Sequence, residues 1–373
     1  MVYTLLHRSL KIIAAIVILS MAVSASSSGH TQASSPAVSM EVVMKAVRDY
    51  GRGHQSAISP APASVPEETD QQYAARINSL FVQENFAELE KMEHQNRIEK
   101  GRVRGGIWKS FSFFAAIALP RGEELKDSDY DVRISTAKKW VAAYAGSAAA
   151  RIALANIYSA YAGFARGSGF ADSVSDAHWK LYHSRVAQAK QILLEAAALK
   201  DKDAHWFDVM MQVSNAEGWD AAQERELFDQ AVAFEPSYYH FYRRYANYLL
   251  PQWYGQPGDV ESFADEIAAH RQEPESSIFY FEIVGTLTCY CQKGIEALSQ
   301  TSWPRTKQGY ANMQRLYGTS NLKANRFAFL AFVAKDQSAA HEAFASITSP
   351  ELDIWNSEDV FYGVRAWAEA GGQ

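Results

Sequence analysis

The side chains best suited to bind a ligand lie together in the segment SYYHFYRRYANYLL. Four of them fall off the apolar stripe that this helix would present, so we expect them to face solvent or a ligand: Tyr239, His240, Arg243 and Arg244. Adjacent arginines beside a tyrosine suit a carboxylate or a phosphate, which guanidinium groups bind through parallel hydrogen bonds. The same residues are also typical of an ordinary polar helix face with ion pairs, which we favour over a ligand site.

Three further side chains are candidates for binding. Trp253 and Tyr254 stand in the turn PQWYGQPGD, where they would form either a sugar-stacking pair or a hydrophobic latch between repeats. Arg166 ends another predicted helix just before Gly167, where it would reach either a ligand or the carbonyl groups of a neighbouring helix.

No residue spacing in the chain indicates catalysis. A Gly-x-Ser-x-Gly turn, an HExxH helix and a dinucleotide-binding glycine pattern are all absent from the sequence. Glu282, Asp259 and Glu261 are conceivable acids for a hydrolase, but no spacing singles out a pair of them. We therefore predict no catalytic residues. An all-helical hydrolase that cleaves cell-wall glycan or peptide through paired carboxylates remains the alternative function.

The metal-ligand patterns in the sequence are incomplete. Asp127, Asp129 and Asp131 have the spacing of the first ligands of a calcium loop, but Val132 replaces the required glycine and Lys138 replaces the last acid. The acidic stretch is instead expected to begin a helix. We predict no metal and no cofactor.

The two cysteines, Cys289 and Cys291, are separated by one residue and so point to different sides of a helix. This favours two small buried side chains. A strained disulfide or a copper site is the alternative, although no cluster of His or Met stands beside the pair. The thiol state stays open.

Residues 1–25 have the pattern of a secretory signal. Arg8 and Lys11 precede an uncharged apolar run, and small residues follow at the cleavage position. The run is short for a membrane span, which needs about 20 residues. Removal of this segment takes two of the 36 basic residues and none of the 42 acidic ones, which leaves a net charge of -8. We expect an exported protein, periplasmic or extracellular, that binds no nucleic acid and has no membrane span after signal removal.

Residues 26–68 are rich in Ser, Ala, Pro and Gly, as in SSSGHTQASSP and SAISPAPASVP. This composition predicts a flexible linker, with one short amphipathic helix possible over residues 40–50. The remaining residues, 69–373, are assigned to one folded domain.

The elements that position the candidate residues are helical hairpins. In residues 224–250, apolar side chains recur at helical spacing in two runs that Pro236 separates and Pro251 ends. Such a hairpin cannot bury its apolar face alone and needs stacked neighbours. Similar runs fill most of the folded domain, so the predicted fold is all-α, with stacked helical hairpins. Residues 107–119 are apolar enough for a helix or a strand, and periodicity leaves that choice open.

The hairpins resemble tetratricopeptide repeats in a divergent form. Phe228, Ala231 and Pro236 fit the pattern of the second helix of such a repeat, whereas Glu224 occupies a position where a small residue is usual. The segments ARGSGFADSV, YLLPQWYGQPGD and WPRTKQGYANMQRLYG are similar to a bacterial family catalogued as domain of unknown function 4034, over roughly residues 70–367. That resemblance implies helical repeats and an exported bacterial setting, and it implies no activity.

Stacked hairpins generate an extended concave surface that suits recognition of another chain. The function expected from the sequence is therefore a protein- or peptide-binding scaffold of the cell envelope. Its partner would be another envelope protein or a peptide.

Overall fold

The computed structural model describes residues 38–54, 56, 59, 62–120, 125–167, 171–289 and 300–371. Within these ranges the chain forms 17 α-helices and no strand, and its single β feature is an isolated antiparallel bridge between Arg102 and Trp108. The prediction of an all-α fold is confirmed.

The helices are numbered in chain order. They are α1 (Met40–Tyr50), α2 (Asp70–Val82), α3 (Phe86–Glu99), α4 (Lys109–Ala118), α5 (Asp127–Ala143), α6 (Ala148–Arg166), α7 (Asp176–Ala197), α8 (His205–Glu217), α9 (Ala221–Phe234), α10 (Tyr239–Tyr248), α11 (Asp259–Ala269), α12 (Glu275–Val284), α13 (Trp303–Tyr317), α14 (Asn321–Val333), α15 (Gln337–Phe344), α16 (Leu352–Trp355) and α17 (Glu358–Ala370). A short 3-10 helix, Gly285–Cys289, follows α12 directly.

From α5 to α13 each helix packs against the next one in the chain, so the hairpins are stacked in sequence order. Helices α6, α8, α10 and α12 also contact one another in turn, and we call them the inner layer. This is the arrangement that the hairpin pattern predicts, because each hairpin covers the apolar stripe of its neighbour.

The hairpin of α9 and α10 shows how local sequence sets the geometry. Asp220 caps α9 by accepting hydrogen bonds from the amides of Ala222 and Gln223, and the chain turns at Glu235 before α10 begins. Phe228 of α9 then packs edge-on against Tyr242 of α10. The tight turn and the aromatic contact together hold the two helices antiparallel.

Helix α4 covers one face of the inner layer. Its sequence, KSFSFFAAIA, is apolar on nearly all sides, and it packs against α2, α6 and α8. Phe114 is fully buried and stacks on His205 of α8, with 4.6 Å between ring centroids. The choice left open for residues 107–119 is therefore resolved as a buried helix, as expected for a segment without a polar face.

The packed position of α1 makes the flexible linker shorter than the sequence predicts. A short helix was expected there, but within a flexible tether, whereas Val43, Val47 and Tyr50 are buried and α1 packs against α7 and α9. The Tyr50 hydroxyl donates to the carbonyl of Asp203 and accepts from its amide. The packed body thus includes residues 40–50. The predicted signal, residues 1–25, lies outside the described residues.

The loop 101–108 connects the first hairpin to the far end of the array. The amide of Gly105 donates to the carbonyl of Tyr317 in α13, and the amide of Arg104 donates to the carbonyl of Glu68. Gly105 has a φ of +79°, and a Cβ there would lie 2.5 Å from the Ser320 side chain. Glycine is required at this position both by the backbone and by the close approach.

Candidate ligand-binding site

Tyr239 and His240 are buried, which corrects the expectation that they face solvent. Their exposed fractions are 4% and 7%. Phe111 of α4 stacks on the His240 ring, with 3.7 Å between centroids, and Trp108 packs against the neighbouring Tyr238. The apolar stripe of a helix marks only the face that its partner helix covers, whereas an inner-layer helix is also covered from the opposite side.

Arg243 and Arg244 bind internal carboxylates, which corrects their expected exposure to a ligand. The guanidinium of Arg244 donates two hydrogen bonds to the Asp208 carboxylate in α8, at 3.0 and 3.2 Å. That of Arg243 donates to the Glu282 carbonyl at 2.6 Å and lies 3.5 Å from its carboxylate, in α12. Ion pairing was the favoured interpretation of this helix face, and both arginines form ion pairs.

Glu282 is the centre of a buried cationic cluster. Its carboxylate is fully buried and contacts Lys323, Arg243 and Arg326. Burial alone would raise the pKa of Glu282, but the three positive charges outweigh burial and lower it. Burial lowers the pKa of Lys323 to about 7. This conceivable catalytic acid is therefore a structural counterion.

The two other conceivable acids do not form a pair with Glu282. Asp259 begins α11 and accepts a hydrogen bond from the amide of Gln256, which is a capping contact. Glu261 is buried in α11, and burial raises its pKa. The negative charge of Asp259 raises the pKa of Glu261 further.

Arg166, Trp253 and Tyr254 lie at a different place from the α10 residues. The Arg166 guanidinium lies between Trp179 and Trp253, 5.8 and 5.6 Å from their ring centroids, and we call these three residues the tryptophan patch. The Tyr254 hydroxyl donates to the carbonyl of Asn215, and its ring stacks on Tyr248. Tyr254 thus fastens the 251–258 turn to α8 and α10, as the latch interpretation describes.

A cavity of about 240 Å³ lies beside the inner layer and the loop that precedes α4. Its walls come from α10, α12 and α13, with the loop 101–108 closing one side. The apolar part of the wall consists of Ile278, Phe279, Met313 and Leu316. Arg102, Tyr239, Glu275 and Tyr317 supply the polar groups. Apolar walls with a few convergent polar groups are typical of ligand sites.

Arg102 is the cation of this cavity. Its guanidinium donates to the carbonyl of Lys100 at 2.7 Å and lies over the Trp108 ring, 3.2 Å from the centroid. Burial lowers the pKa of Arg102 to about 10, so the group stays charged at neutral pH. Among the described residues no Asp or Glu comes within 4.0 Å of it. This differs from Arg243 and Arg244, whose charges are compensated inside the protein.

A second cavity adjoins the first. It measures about 790 Å³ and lies between the 62–68 segment, the end of α3 and the start of α4. Ser59, Arg102 and Tyr317 line both cavities, so Arg102 stands at their junction. The two cavities therefore share part of their wall at the loop 101–108.

A buried carboxyl pair lies elsewhere, between α3 and the start of α8. Burial raises the pKa of Glu93, and the negative charge of Asp203 raises it further. Arg97 donates to Glu93 at 3.2 Å, and Ser110 donates to Asp203 at 3.1 Å. Asp203 lines a cavity of about 60 Å³. This space suits water molecules rather than a sugar or a peptide.

Comparison with protein-family models, curated proteins and solved structures finds no match to this chain. In the described ranges, no group of three or more His, Cys, Asp or Glu side chains is placed to bind a metal ion. None of the helices described combines the length and the apolar run that a membrane span requires. Cys291 and the side chain of Cys289 lie outside the described residues.

Sequence reasoning missed Arg102 as a candidate binding residue. It stands in the basic stretch KGRVRGG, which follows α3 and has no spacing that indicates a ligand site. Its role depends on a contact between the loop 101–108 and Tyr317, more than two hundred residues later in the chain. The paired glycines at the end of that stretch were the available signal, because glycines allow the close backbone approach that brings Arg102 to α13.

Proposed function

We propose that the protein is an exported binding protein that holds a peptide, or a segment of another envelope protein, on its inner layer and performs no catalysis. The observation that carries the proposal is the cavity pair that meets at Arg102. It combines apolar walls with a partly buried guanidinium that has no carboxylate partner among the described residues. Glu235 and Glu275 act on the Arg102 charge from beyond 4.0 Å, so a ligand carboxylate would be its first direct ionic partner.

The proposed binding site is the cavity beside α10, and only part of the polar face of that helix contributes to it. Tyr239 remains a candidate because it lines the cavity. His240, Arg243 and Arg244 act through packing and internal ion pairs instead. The tryptophan patch is a partly exposed surface apart from this cavity.

Site-specific crosslinking tests the proposed function. A photoreactive benzoylphenylalanine replaces Tyr317, which lines both cavities, and in a control variant it replaces Tyr362, which is exposed on α17. We expect crosslinking in the native envelope to capture the same identified peptide or protein from position 317 and not from position 362. Equal recovery of bulk protein from both positions would refute the proposal.

The alternative, a hydrolase of cell-wall glycan or peptide, rests on the Glu93 and Asp203 pair. Buried carboxyls with raised pKa values are a feature of acid catalysts. The small adjacent cavity and the hydrogen bonds from Arg97 and Ser110 favour a structural role. Release of soluble fragments from purified peptidoglycan by the wild type, and its loss in Glu93→Gln, would establish the alternative.

The exported setting is part of the proposal and rests on the predicted signal, residues 1–25. The relationship to the bacterial domain of unknown function 4034 also stays a prediction, since no family match supports it. Retention of a residue 1–25 fragment on the protein recovered from the cell envelope, measured by mass spectrometry, would show that the signal is not cleaved.

A further inference from the structure

We propose that the cavity at Arg102 recognises a carboxylate joined to an apolar group, and that the source is the carboxyl-terminal residue of a peptide. This inference rests on the proposed binding function and names the chemistry of its ligand. Arg102 would bind the carboxylate, and the apolar wall of α12 and α13 would receive the terminal side chain.

The Arg102 guanidinium is held in place, but most of its N–H donors make no observed hydrogen bond within the described residues. The carbonyl of Lys100 and the face of Trp108 hold it in place, so its orientation does not depend on a ligand. A guanidinium has five N–H donors, and a single hydrogen bond from Arg102 is observed. A carboxylate is the acceptor that matches two parallel guanidinium donors.

Tyr239 provides an independent observation. Its side chain is 4% exposed and lines the cavity, and its hydroxyl has no hydrogen-bond partner among the described residues. A buried hydroxyl without a partner is unfavourable, and a ligand oxygen would satisfy it. The ammonium group of Lys323, which pairs with Glu282, lies 4.7 Å from the centre of the Tyr239 ring.

Glu275 defines the direction in which the ligand lies. It lines the same cavity, and its negative charge would repel a carboxylate placed beside it. The carboxylate is therefore expected on the side of Arg102, with peptide N–H groups towards Glu275. Ile278, Phe279 and Met313 then surround an apolar side chain of the terminal residue.

The adjoining cavity favours a peptide over a free small acid. The first cavity, at about 240 Å³, has room for little more than a terminal residue. The second, at about 790 Å³, continues from Arg102 and gives space for the residues that precede it. A free acid such as N-acetylleucine has the same chemistry but leaves the second cavity empty.

The test uses fluorescein-labelled pentapeptides with Leu, Phe or Lys at the carboxyl terminus, each made as the free acid and as the amide. Binding to the mature chain is measured by fluorescence anisotropy, and N-acetylleucine serves as a competitor. We expect free acids ending in Leu or Phe to bind at least about tenfold more tightly than their amides, which lack the charge. Arg102→Gln should abolish that preference, and Tyr239→Phe should reduce it.

Arg104→Gln is the matched control, because Arg104 is exposed on the same loop and lines neither cavity. It should keep the preference of the wild type. Arg102→Lys keeps a charge at the site and is expected to restore part of the preference if Arg102→Gln is folded. Circular dichroism and thermal unfolding confirm folding, and Tyr239→Phe tests the site even if both Arg102 variants unfold.

The outcomes separate this inference from the proposed function. Equal affinity for acids and amides would overturn carboxylate recognition while leaving peptide binding intact. Binding of N-acetylleucine that depends on Arg102, without binding of any peptide, would support the carboxylate chemistry and overturn the peptide as its source. Binding of none of these probes would overturn the inference, and the crosslinking at position 317 would then decide the proposed function separately.

Discussion

Arg243 and Arg244 are adjacent in the sequence, yet their guanidinium groups bind carboxylates in different helices. Arg244 pairs with Asp208 of α8, and Arg243 pairs with Glu282 of α12. Because α10 lies between these two helices in the inner layer, the two arginines fix its position from both sides. Arg243 and Arg244 therefore hold the neighbouring helices of the inner layer together.

Loss of the Arg244 side chain should destabilise the protein strongly. Arg244→Met leaves the fully buried Asp208 carboxylate without its main counterion, and we expect a loss of about 3 kcal/mol in the free energy of unfolding. Denaturant unfolding measures this loss. Arg305→Met is the control, since Arg305 pairs with Asp265 at the surface and its loss should cost less than about 1 kcal/mol. Equal effects in the two variants would contradict the structural role of Arg244.

Tyr50→Phe tests whether α1 belongs to the folded body. The variant removes the hydroxyl that bonds both the amide and the carbonyl of Asp203 and leaves these backbone groups buried. We expect a loss of about 2 kcal/mol in unfolding free energy. Tyr362→Phe, on an exposed tyrosine, should leave stability unchanged. A neutral Tyr50→Phe would mean that α1 is not anchored as described.

Phe114→Ala tests the packing of α4 on the inner layer. Phe114 is fully buried and stacks on His205, so the cavity left by its removal should cost about 3 to 5 kcal/mol. Leu119→Ala, just beyond the end of α4 and half-exposed, is the matched control and should have a small effect. If both variants unfolded at the same denaturant concentration as the wild type, α4 would not be part of the core.

Glu93→Gln should change how stability depends on pH. Burial and Asp203 raise the pKa of Glu93 above the ordinary 4.5, so the folded state keeps a proton that the unfolded chain loses as pH rises. The stabilising contribution is therefore complete below pH 4.5 and is lost as pH rises through the folded-state pKa. Glutamine cannot titrate and keeps the shape of the protonated acid.

Denaturant unfolding at pH 5, 6, 7 and 8 measures this effect. The stability of Glu93→Gln relative to the wild type should increase with pH, by up to about 1.4 kcal/mol per pH unit. Glu99→Gln, on the exposed face of the same helix, should follow the wild type. A constant difference between Glu93→Gln and the wild type over this range would show that Glu93 does not titrate differently on folding.

The fold was largely accessible from the sequence because helical spacing and proline breaks are local properties. Pro236 and the stripe that includes Phe228 locate the α9 and α10 hairpin without any knowledge of its neighbours. Helix α4 was less accessible, since a segment with no polar face carries no periodicity to read. The packed position of α1 was hidden by the surrounding Ser- and Pro-rich composition.

The binding site was less accessible than the fold. A stripe on one helix identifies a single buried face, and α10 has a second one where Phe111 covers His240. Arg102 lies in a loop whose partner, Tyr317, is distant in the sequence. Whether an arginine meets an internal carboxylate or stays available for a ligand depends on such long-range contacts, and these are properties of the assembled array.

The most direct test of ligand binding at the Arg102 cavity is hydrogen–deuterium exchange of the mature chain, with and without a free-acid pentapeptide ending in leucine. Binding at the cavity predicts slower exchange in residues 101–108, 275–279 and 313–317, with the tryptophan patch unchanged. Protection confined to the tryptophan patch of Arg166, Trp179 and Trp253, or protection nowhere, would contradict it.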